Sequence, residues 1–429
     1  MNQKLEATLN EVKNVASKGL FHLFTANGLI FLAGFASQLF VAGFLEPTDI
    51  GRIKIMQTYL GFASILGGLG FNVSLVKLAS DKISEHFRIQ YFNIALFIAF
   101  ASFFIFYFLM LALNNLGFLS KDIGIQEVFP YYAIFLLPLT LQAVYISYFQ
   151  AIREIKKMAF FQSLIKVISV VIIILSTWKY GLQGYVWAVV CTGILGLLIF
   201  EFQIEENILK RISVWFNSSH FLDMWKLASF ALAANVTGAF LTTVDVYLIN
   251  YFVADRAVVG FYMFALTLVS IYQLFPSSIQ QIALPFFSAK SLKFDEWYLT
   301  YKKYNLLNHI LIVLVVTGGV ITVSFLLPIM FNDKYNDSII FFYLLSVGWA
   351  LRSMNIIKGT ALMGMGKFNL NFRSSFVSLL ISFPILFYLI AVYEIEGAKY
   401  AHILIGFVSY IITSVIFRRF VNAYKASYV

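Results

Sequence analysis

Charge is scarce in this chain. Only 12% of the 429 residues are Asp, Glu, Lys or Arg, where a soluble domain carries about 25%. So few polar groups cannot clothe a globular surface, which excludes a soluble enzyme. Intrinsic disorder, collagen and coiled coil are excluded with it. Cysteine is nearly absent: Cys191 stands alone, so no internal disulfide is available. Sequence signatures of chemistry are missing too. There is no GxxxxGK[ST] loop. Gly364-Met365-Gly366-Lys367 approaches one, but Ala361 stands where its first glycine belongs and Phe368 follows the lysine. No HExxH, CxxC or GxSxG occurs. A nucleotide-driven pump, a metal or cofactor site and a catalytic function are therefore not expected.

What is abundant is apolar. Hydrophobic residues make up 60% of the chain, with 47 Phe and 24 Tyr, and the mean hydropathy is +0.83. A membrane helix needs about 20 mostly apolar residues. Twelve such runs are found, at 20–44, 55–80, 91–113, 128–150, 158–178, 184–201, 224–251, 258–288, 304–330, 338–362, 371–393 and 397–417. Backbone groups in lipid must be satisfied within each segment, so helices are expected rather than the short alternating strands of a barrel. The first run is longer than the 7–15 residues, roughly, of a signal-peptide core. Residues 1–19, with Leu5, Leu9, Val12 and Ala16 at helical spacing, are expected to lie on the membrane surface.

Lys and Arg number 20 in the segments on the side of the N-terminus, 7 on the other side and four inside the runs. The bias places both termini in the cytoplasm. The net charge of +10 is scattered between the runs, not gathered on one face, so nucleic acid is not an expected partner.

The chain repeats itself. Phe44–Gly51 before the second run resembles Phe252–Gly260 before the eighth, at an offset of 209. Gln150–Lys157 aligns with Thr360–Lys367 at 210. Tyr180-Gly-Leu-Gln-Gly184 aligns with Tyr393-Glu-Ile-Glu-Gly397 at 213. The expected organisation is a six-helix lobe at 1–201, a cytoplasmic linker at 202–223 and a second six-helix lobe at 224–429. An even number of spans gives both lobes the same orientation, and transporters of this kind place their substrate path at the repeat interface.

Ionised groups inside a span cost about 2.5–3.5 kcal/mol on insertion scales and so call for a reason. Lys77, Lys166, Arg352 and Lys358 are the intramembrane cations; Asp245 is the one deep acid. At about 1.5 Å per residue, Lys166 lies roughly 12 Å and Arg352 roughly 15 Å from the cytoplasmic end. Lys77 and Lys358 are shallower and could snorkel to the headgroups. Asp245 reads equally as a structural partner of a cation or as an ion-coupling site. Cations in the cytoplasmic half with few acids favour an anionic cargo over an organic cation. Asn27, Gln38, Asn72, Asn235 and Gln273 add neutral partners for hydroxyl-rich cargo, or simply bridge helices. His22 and His309 stand isolated and read as structural. Pro138, Pro276, Pro285 and Pro384 are expected to kink their runs.

The segment Phe44–Ser80, with Gly51 and Gly67-Gly68-Leu69-Gly70-Phe71-Asn72-Val73-Ser74-Leu75-Val76-Lys77, resembles the first-half signature of the polysaccharide-biosynthesis flippases of the MATE-like superfamily. Val244-Asp245-Val246-Tyr247-Leu248-Ile249, through Gly260-Phe261-Tyr262 to Leu284-Pro285, is similar to its second-half counterpart. The resemblance implies an all-α, V-shaped fold of twelve transmembrane helices in two six-helix lobes, working by alternating access. It implies an undecaprenyl-pyrophosphate-linked oligosaccharide, such as an O-antigen repeat unit, moved from the cytoplasmic to the periplasmic leaflet of a bacterial inner membrane. Membrane lipid, and possible polysaccharide polymerase and chain-length machinery, would be the partners. Lys77, Lys166, Arg352 and Lys358 would attract the pyrophosphate. The competing readings are a cation-coupled multidrug antiporter, which more intramembrane acids would favour, and a membrane-embedded glycan polymerase or ligase, which a long outer loop would favour.

Overall fold

In a computed structural model the described residues are 21–80, 84–204, 218–290 and 293–426. The surface helix expected at 1–19 and most of the 202–223 linker lie outside them. The described chain is helical and contains no strand. The helices are α1 (Phe21–Phe44), α2 (Pro47–Gly67), α3 (Phe71–Ala79), α4 (Glu85–Asn115), α5 (Ile123–Ala133), α6 (Leu136–Ala151), α7 (Ile155–Phe202), α8 (Ser218–Phe252), α9 (Arg256–Ser270), α10 (Leu274–Ala289), α11 (Phe294–Phe331), α12 (Ser338–Ser353), α13 (Ile356–Gly364) and α14 (Phe368–Ala426).

Two of these helices are each a doubled pass. The 48 residues of α7 are interrupted by Gly181 at φ 59, ψ −141, and the 59 residues of α14 by Glu394 at φ 48, ψ −123. A Cβ placed on Gly184 would lie 2.1 Å from the Ser176 carbonyl oxygen, and one on Gly397 2.1 Å from that of Leu389. Eight residues of unbroken helix would separate such groups by about 12 Å, so the chain reverses at both places. With α7 and α14 counted as two passes each, the segments correspond to the twelve apolar runs.

Both reversals fall in the repeated Tyr-x-x-x-Gly segment. Gly181 and Glu394 stand at the 213-residue offset read from sequence. The first half places glycine where φ is positive; the second places a glutamate, at a typical cost of about 1–3 kcal/mol. Glu394→Gly is therefore expected to raise the thermal midpoint of the detergent-purified protein by relieving about 1 kcal/mol of strain. An unchanged or lower midpoint would show that the turn is not strained.

The broken passes also repeat. The second run bends by 48° between α2 and α3 and the fourth by 43° between α5 and α6. Their counterparts break at 271–273, in a short 3₁₀ turn, and between α12 and α13. Two of the expected prolines explain their breaks. A proline ring collides with the carbonyl four residues earlier and donates no hydrogen bond. For Pro138 that carbonyl belongs to Ile134, at the α5–α6 break. For Pro276 it belongs to Tyr272, inside the 3₁₀ turn. The second repeat match shifts in register: the turns 152–154 and 365–367 correspond at 213, with Arg153 (φ 64) opposite Gly366 (φ 70). The alignment at 210 is three residues out.

The chain forms two compact units. One holds the described residues within Met1–Leu45, Tyr59–Leu119 and Ile123–Ala233; the other holds Glu46–Thr58, Ser120–Asp122 and Ala234–Val429. In the first, Phe92, Phe149, Phe200 and Met158 are buried among α3, α4, α6 and α7. In the second, small residues carry the close packing, as expected where lipid is as apolar as the helix surface. The buried serines Ser374, Ser378 and Ser382 line one arm of α14, with Gly397, Ala401, Gly406, Ser409 and Thr413 on the other. Ser374 and Thr413 share a 2.6 Å hydrogen bond. The repeat glycines Gly51 and Gly260 meet within this unit: a Cβ on Gly51 would lie 3.0 Å from the Gly260 Cα, and one on Gly260 2.0 Å from the Pro47 oxygen.

Candidate functional site

The expected site residues divide between the units. In the first, Lys166 is half-buried on the first arm of α7, and its aliphatic end and ammonium fill the space that glycine leaves on α1. A Cβ on Gly34 would lie 3.1 Å from both Cε and Nζ of Lys166. Gln38 on α1 and Asn72 on α3 are half-buried, and Lys77 on α3 is exposed. Asn27 falls in α1, but its side chain is outside the described residues. Gln142 Nε2 ties α6 to α7 by donating to the Gly193 oxygen at 2.7 Å, and the Tyr145 hydroxyl donates to the Glu201 carboxylate.

The second unit holds a denser arrangement. Asp245 on α8 is completely buried. Its Oδ2 accepts from the Tyr262 hydroxyl on α9 at 2.7 Å and lies 2.9 Å from His402 Nε2 on α14. Tyr262 is completely buried and His402 nearly so. The Asp245 charge also acts on Lys54 of α2 and Arg352 of α12. Asp245 Oδ1 and Arg352 Nη1 are both buried and make no hydrogen bond of good geometry. Sequence alone leaves Asp245 either a cation's partner or an ion-coupling site; the structure supplies two hydrogen-bonding partners, Tyr262 and His402.

Lys358 is a different case. It is buried, donates to Asn355 Oδ1 at 3.1 Å and Ser414 Oγ at 2.7 Å, and stands 4.2 Å from the centre of the Tyr410 ring. Its donors are turned into the protein, so it does not snorkel. Asn235 on α8 and Gln273 in the 3₁₀ turn are exposed.

Two participants escaped the sequence reading. Lys54 stands just before the apolar run that begins at 55 and so reads from sequence as a loop cation; the helix begins eight residues before that run, at Pro47. His402 lies 157 residues from Asp245. The available signal was a buried acid that needed partners and a histidine within the twelfth run. Among the described residues, no three His, Cys, Asp or Glu side chains converge as metal ligands.

Near one end of the same helices, Arg52 grips Asp122 through two hydrogen bonds, Nε to Oδ2 at 3.0 Å and Nη2 to Oδ1 at 3.1 Å, and Asp49 through Nη1 at 2.9 Å. Lys334 pairs with Glu46 at 3.0 Å. Tyr335, in the connection before α12, has its hydroxyl pushed well above the usual phenol range by burial first, then by the charges of Glu46 and Asp49.

The fold is shared with known transporters. It superposes on an inward-facing multidrug-resistance MATE-family transporter of the MOP superfamily with a TM-score of 0.77 at 12% identity, covering 93% of this chain and 96% of that one. The lipid II flippase MurJ, in an inward closed conformation, gives 0.76 at 13% identity over 91% and 86%. A MOP superfamily transporter from Pyrococcus furiosus gives 0.62 at 13% identity over 95% and 96%. No curated protein matches the chain by sequence. A family model described as polysaccharide biosynthesis protein, however, matches residues 16–291, well over half the chain. The chain is a multi-pass, all-α membrane protein with the MATE-like fold, and it belongs to the polysaccharide biosynthesis protein family.

Proposed function

We propose that the protein flips an oligosaccharide linked to a polyprenyl pyrophosphate, undecaprenyl pyrophosphate in a bacterial inner membrane, from the cytoplasmic to the periplasmic leaflet by alternating access, with both termini cytoplasmic. Burying one unpaired sugar hydroxyl costs roughly 2–7 kcal/mol and a pyrophosphate far more, so the headgroup does not cross unaided. A cleft must replace its water while the prenyl tail stays in lipid. A repeat unit delivered in this way feeds a polymerase on the far side, as for O-antigen.

The observation that carries the reading is half-buried Arg352, whose buried Nη1 has no hydrogen-bond partner. A buried charged donor left without a partner is costly and suits a site completed by an anionic headgroup. Lys166 and Lys54 add to the same bias. Lys77 is exposed and free to meet a headgroup, Asn235 and Gln273 offer exposed amides for hydroxyls, and Lys358 serves chiefly to hold α13 against α14. A single deep acid among these cations counts against the cationic cargo of a multidrug antiporter.

Arg352→Ala and Lys166→Ala are each expected to lower surface polysaccharide by about tenfold or more while protein levels hold. A hydrogen bond to a charged group contributes about 1.5–3 kcal/mol, and 1.4 kcal/mol is a factor of ten. Undiminished polysaccharide in both variants would remove the cations from the mechanism. Lost drug resistance with intact polysaccharide would favour the antiporter.

A further inference from the structure

Lys358 is a cation without a counter-ion. It is 7% exposed, and its ammonium is held by Asn355 Oδ1, Ser414 Oγ and the face of the Tyr410 ring. None of these groups is negatively charged. The other charge that acts on it is that of Arg418, which repels it. Among the described residues neither Lys358 nor Arg418 makes an ion pair. A buried charge left uncompensated is costly.

The hydrogen bonds point the same way. Asn355 Oδ1 and Ser414 Oγ both accept from the ammonium, which leaves their protons to give. Asn355 Nδ2 is buried with no partner. The hydroxyl of half-buried Ser414 donates to no described group, whereas Thr360 on α13 closes its own onto the Ile356 carbonyl at 2.7 Å. The exposed Arg418 guanidinium makes no hydrogen bond to a described residue. Tyr410, Ser414 and Arg418 follow at i, i+4 spacing and so share one face of α14. That face presents donors and positive charge, and no carboxylate acts on it. It is the inventory of an anion site.

Depth and surroundings select the anion. Lys358 lies about 6 Å from the end of the run 338–362, and Arg418 stands just past the end of the run 397–417. Both are at headgroup level. Beside the polar face, Phe407, Ile411 and Val415 are exposed at the same i, i+4 spacing. An apolar stripe that leads away from the charged end fits acyl chains, and a free phosphate ion gains nothing from it. Two cations would also repel the headgroup ammonium of a zwitterionic lipid.

We infer that Ser414 and Arg418, backed by Lys358 and Asn355, bind the phosphodiester of an anionic glycerophospholipid whose tails lie along Phe407, Ile411 and Val415. The Ser414 hydroxyl and the Arg418 guanidinium donate to phosphate oxygens, and buried Lys358 supplies the field behind them. The phosphate offsets the repulsion between Lys358 and Arg418 and so steadies the contact of α13 with α14. Basic sites between membrane helices hold anionic headgroups by the same physics. The site needs a membrane and stands without the flippase reading.

The test uses the full-length protein in a neutral detergent, with binding followed by native mass spectrometry and stability by melting. The probes are dioleoyl-phosphatidylglycerol, dioleoyl-phosphatidylcholine, undecaprenyl phosphate and inorganic phosphate. Wild type is expected to bind phosphatidylglycerol about tenfold more tightly than phosphatidylcholine, the factor that one hydrogen bond to a charged group supplies. Arg418→Gln is expected to lose that preference. Arg419→Gln, turned by about 100° around the helix, is expected to keep it. Ser414→Ala should weaken phosphatidylglycerol binding several-fold and serves if Arg418→Gln does not accumulate. Phosphatidylglycerol should raise the melting midpoint of wild type and leave that of Arg418→Gln unchanged.

Equal binding of the two lipids to wild type, or equal losses in the two arginine variants, overturns the proposal. The first result describes a surface indifferent to charge, the second a diffuse basic one. Displacement of phosphatidylglycerol by inorganic phosphate at equal concentration would assign the donors to a free anion. Preference for undecaprenyl phosphate over phosphatidylglycerol would assign them to cargo. Either overturns the resident-lipid site, and since no polysaccharide is measured, its failure leaves the flippase reading to its own test.

Discussion

Gly348→Leu is expected to abolish accumulation of folded protein. Gly348 lies on α12 where it crosses the arm of α14 that carries His402. A Cβ at 348 would stand 2.4 Å from the His402 carbonyl carbon, 2.5 Å from its oxygen and 2.8 Å from its Cβ. The obstruction is backbone, so no rotamer change relieves it. Gly406 makes the reciprocal contact, its added Cβ falling 2.5 Å from the Gly348 oxygen. Overpacking costs about 1–3 kcal/mol for modest insertions, and a leucine forced between two crossing backbones exceeds that. Gly348→Ala moves the helices apart by less. It should still lengthen the 2.9 Å His402–Asp245 contact and lower the melting midpoint, by less than the leucine does. Membrane yield and melting in detergent measure the first effect, with Gly61→Leu as the comparison because nothing lies within 4 Å of a Cβ at Gly61. Equal melting of the two leucine variants would show that the crossing tolerates bulk.

This crossing also shows why parts of the molecule can be read from sequence and others cannot. Apolar runs are set by the solvent. A helix in lipid must be apolar along its length, so the twelve passes were legible even where α7 and α14 continue through tight reversals. The repeat was legible because its segments make the same turn twice, and the shared Tyr-x-x-x-Gly spacing is the reversal itself. Pro138 and Pro276 announced their breaks because a missing donor acts within one helical turn.

Partnership across the chain follows no such local rule. Asp245 was visible as a cost, but the groups that bond it come from α9 and α14, and the placing of His402 depends on small residues such as Gly348 and Gly406. Lys358 illustrates the converse. Its sequence position suits snorkelling, yet Ser414 and Tyr410, more than 50 residues away, hold it inside. A cation's depth in a run limits what it can reach, and tertiary packing decides which of those options it takes.

Arg52→Ala is expected to destabilise the second unit more than the double variant Arg52→Ala/Asp122→Ala does. The side chain of Asp122 is only 5% exposed, and that of Arg52 27%. The guanidinium meets the carboxylate with two parallel hydrogen bonds and reaches Asp49 with a third nitrogen. The chain continues: the Asp122 amide donates to Ser120 Oγ, the Ser120 hydroxyl donates to Asn250 Oδ1 at 2.8 Å, and Arg256 Nη1 donates to the Asn250 backbone carbonyl oxygen at 3.2 Å. Removing one partner of a buried ion pair leaves an uncompensated charge and costs about 3–5 kcal/mol. Removing both discards the pair together with its desolvation penalty, so part of the loss is recovered. The melting midpoints of the two single variants and the double variant form a cycle. A coupling of about 0.5–3 kcal/mol is the expected result for residues sharing one network. Strict additivity would mean that water enters and solvates the orphaned carboxylate. The same cycle read as surface polysaccharide separates a structural pair from a transport latch. If the contact belongs to one state of the transport cycle and must open, the single variants shift that equilibrium and alter export in proportion to their loss of stability. A conservative Arg52→Lys, which keeps the charge but cannot make the bidentate grip, should fall between wild type and Arg52→Ala in both measurements.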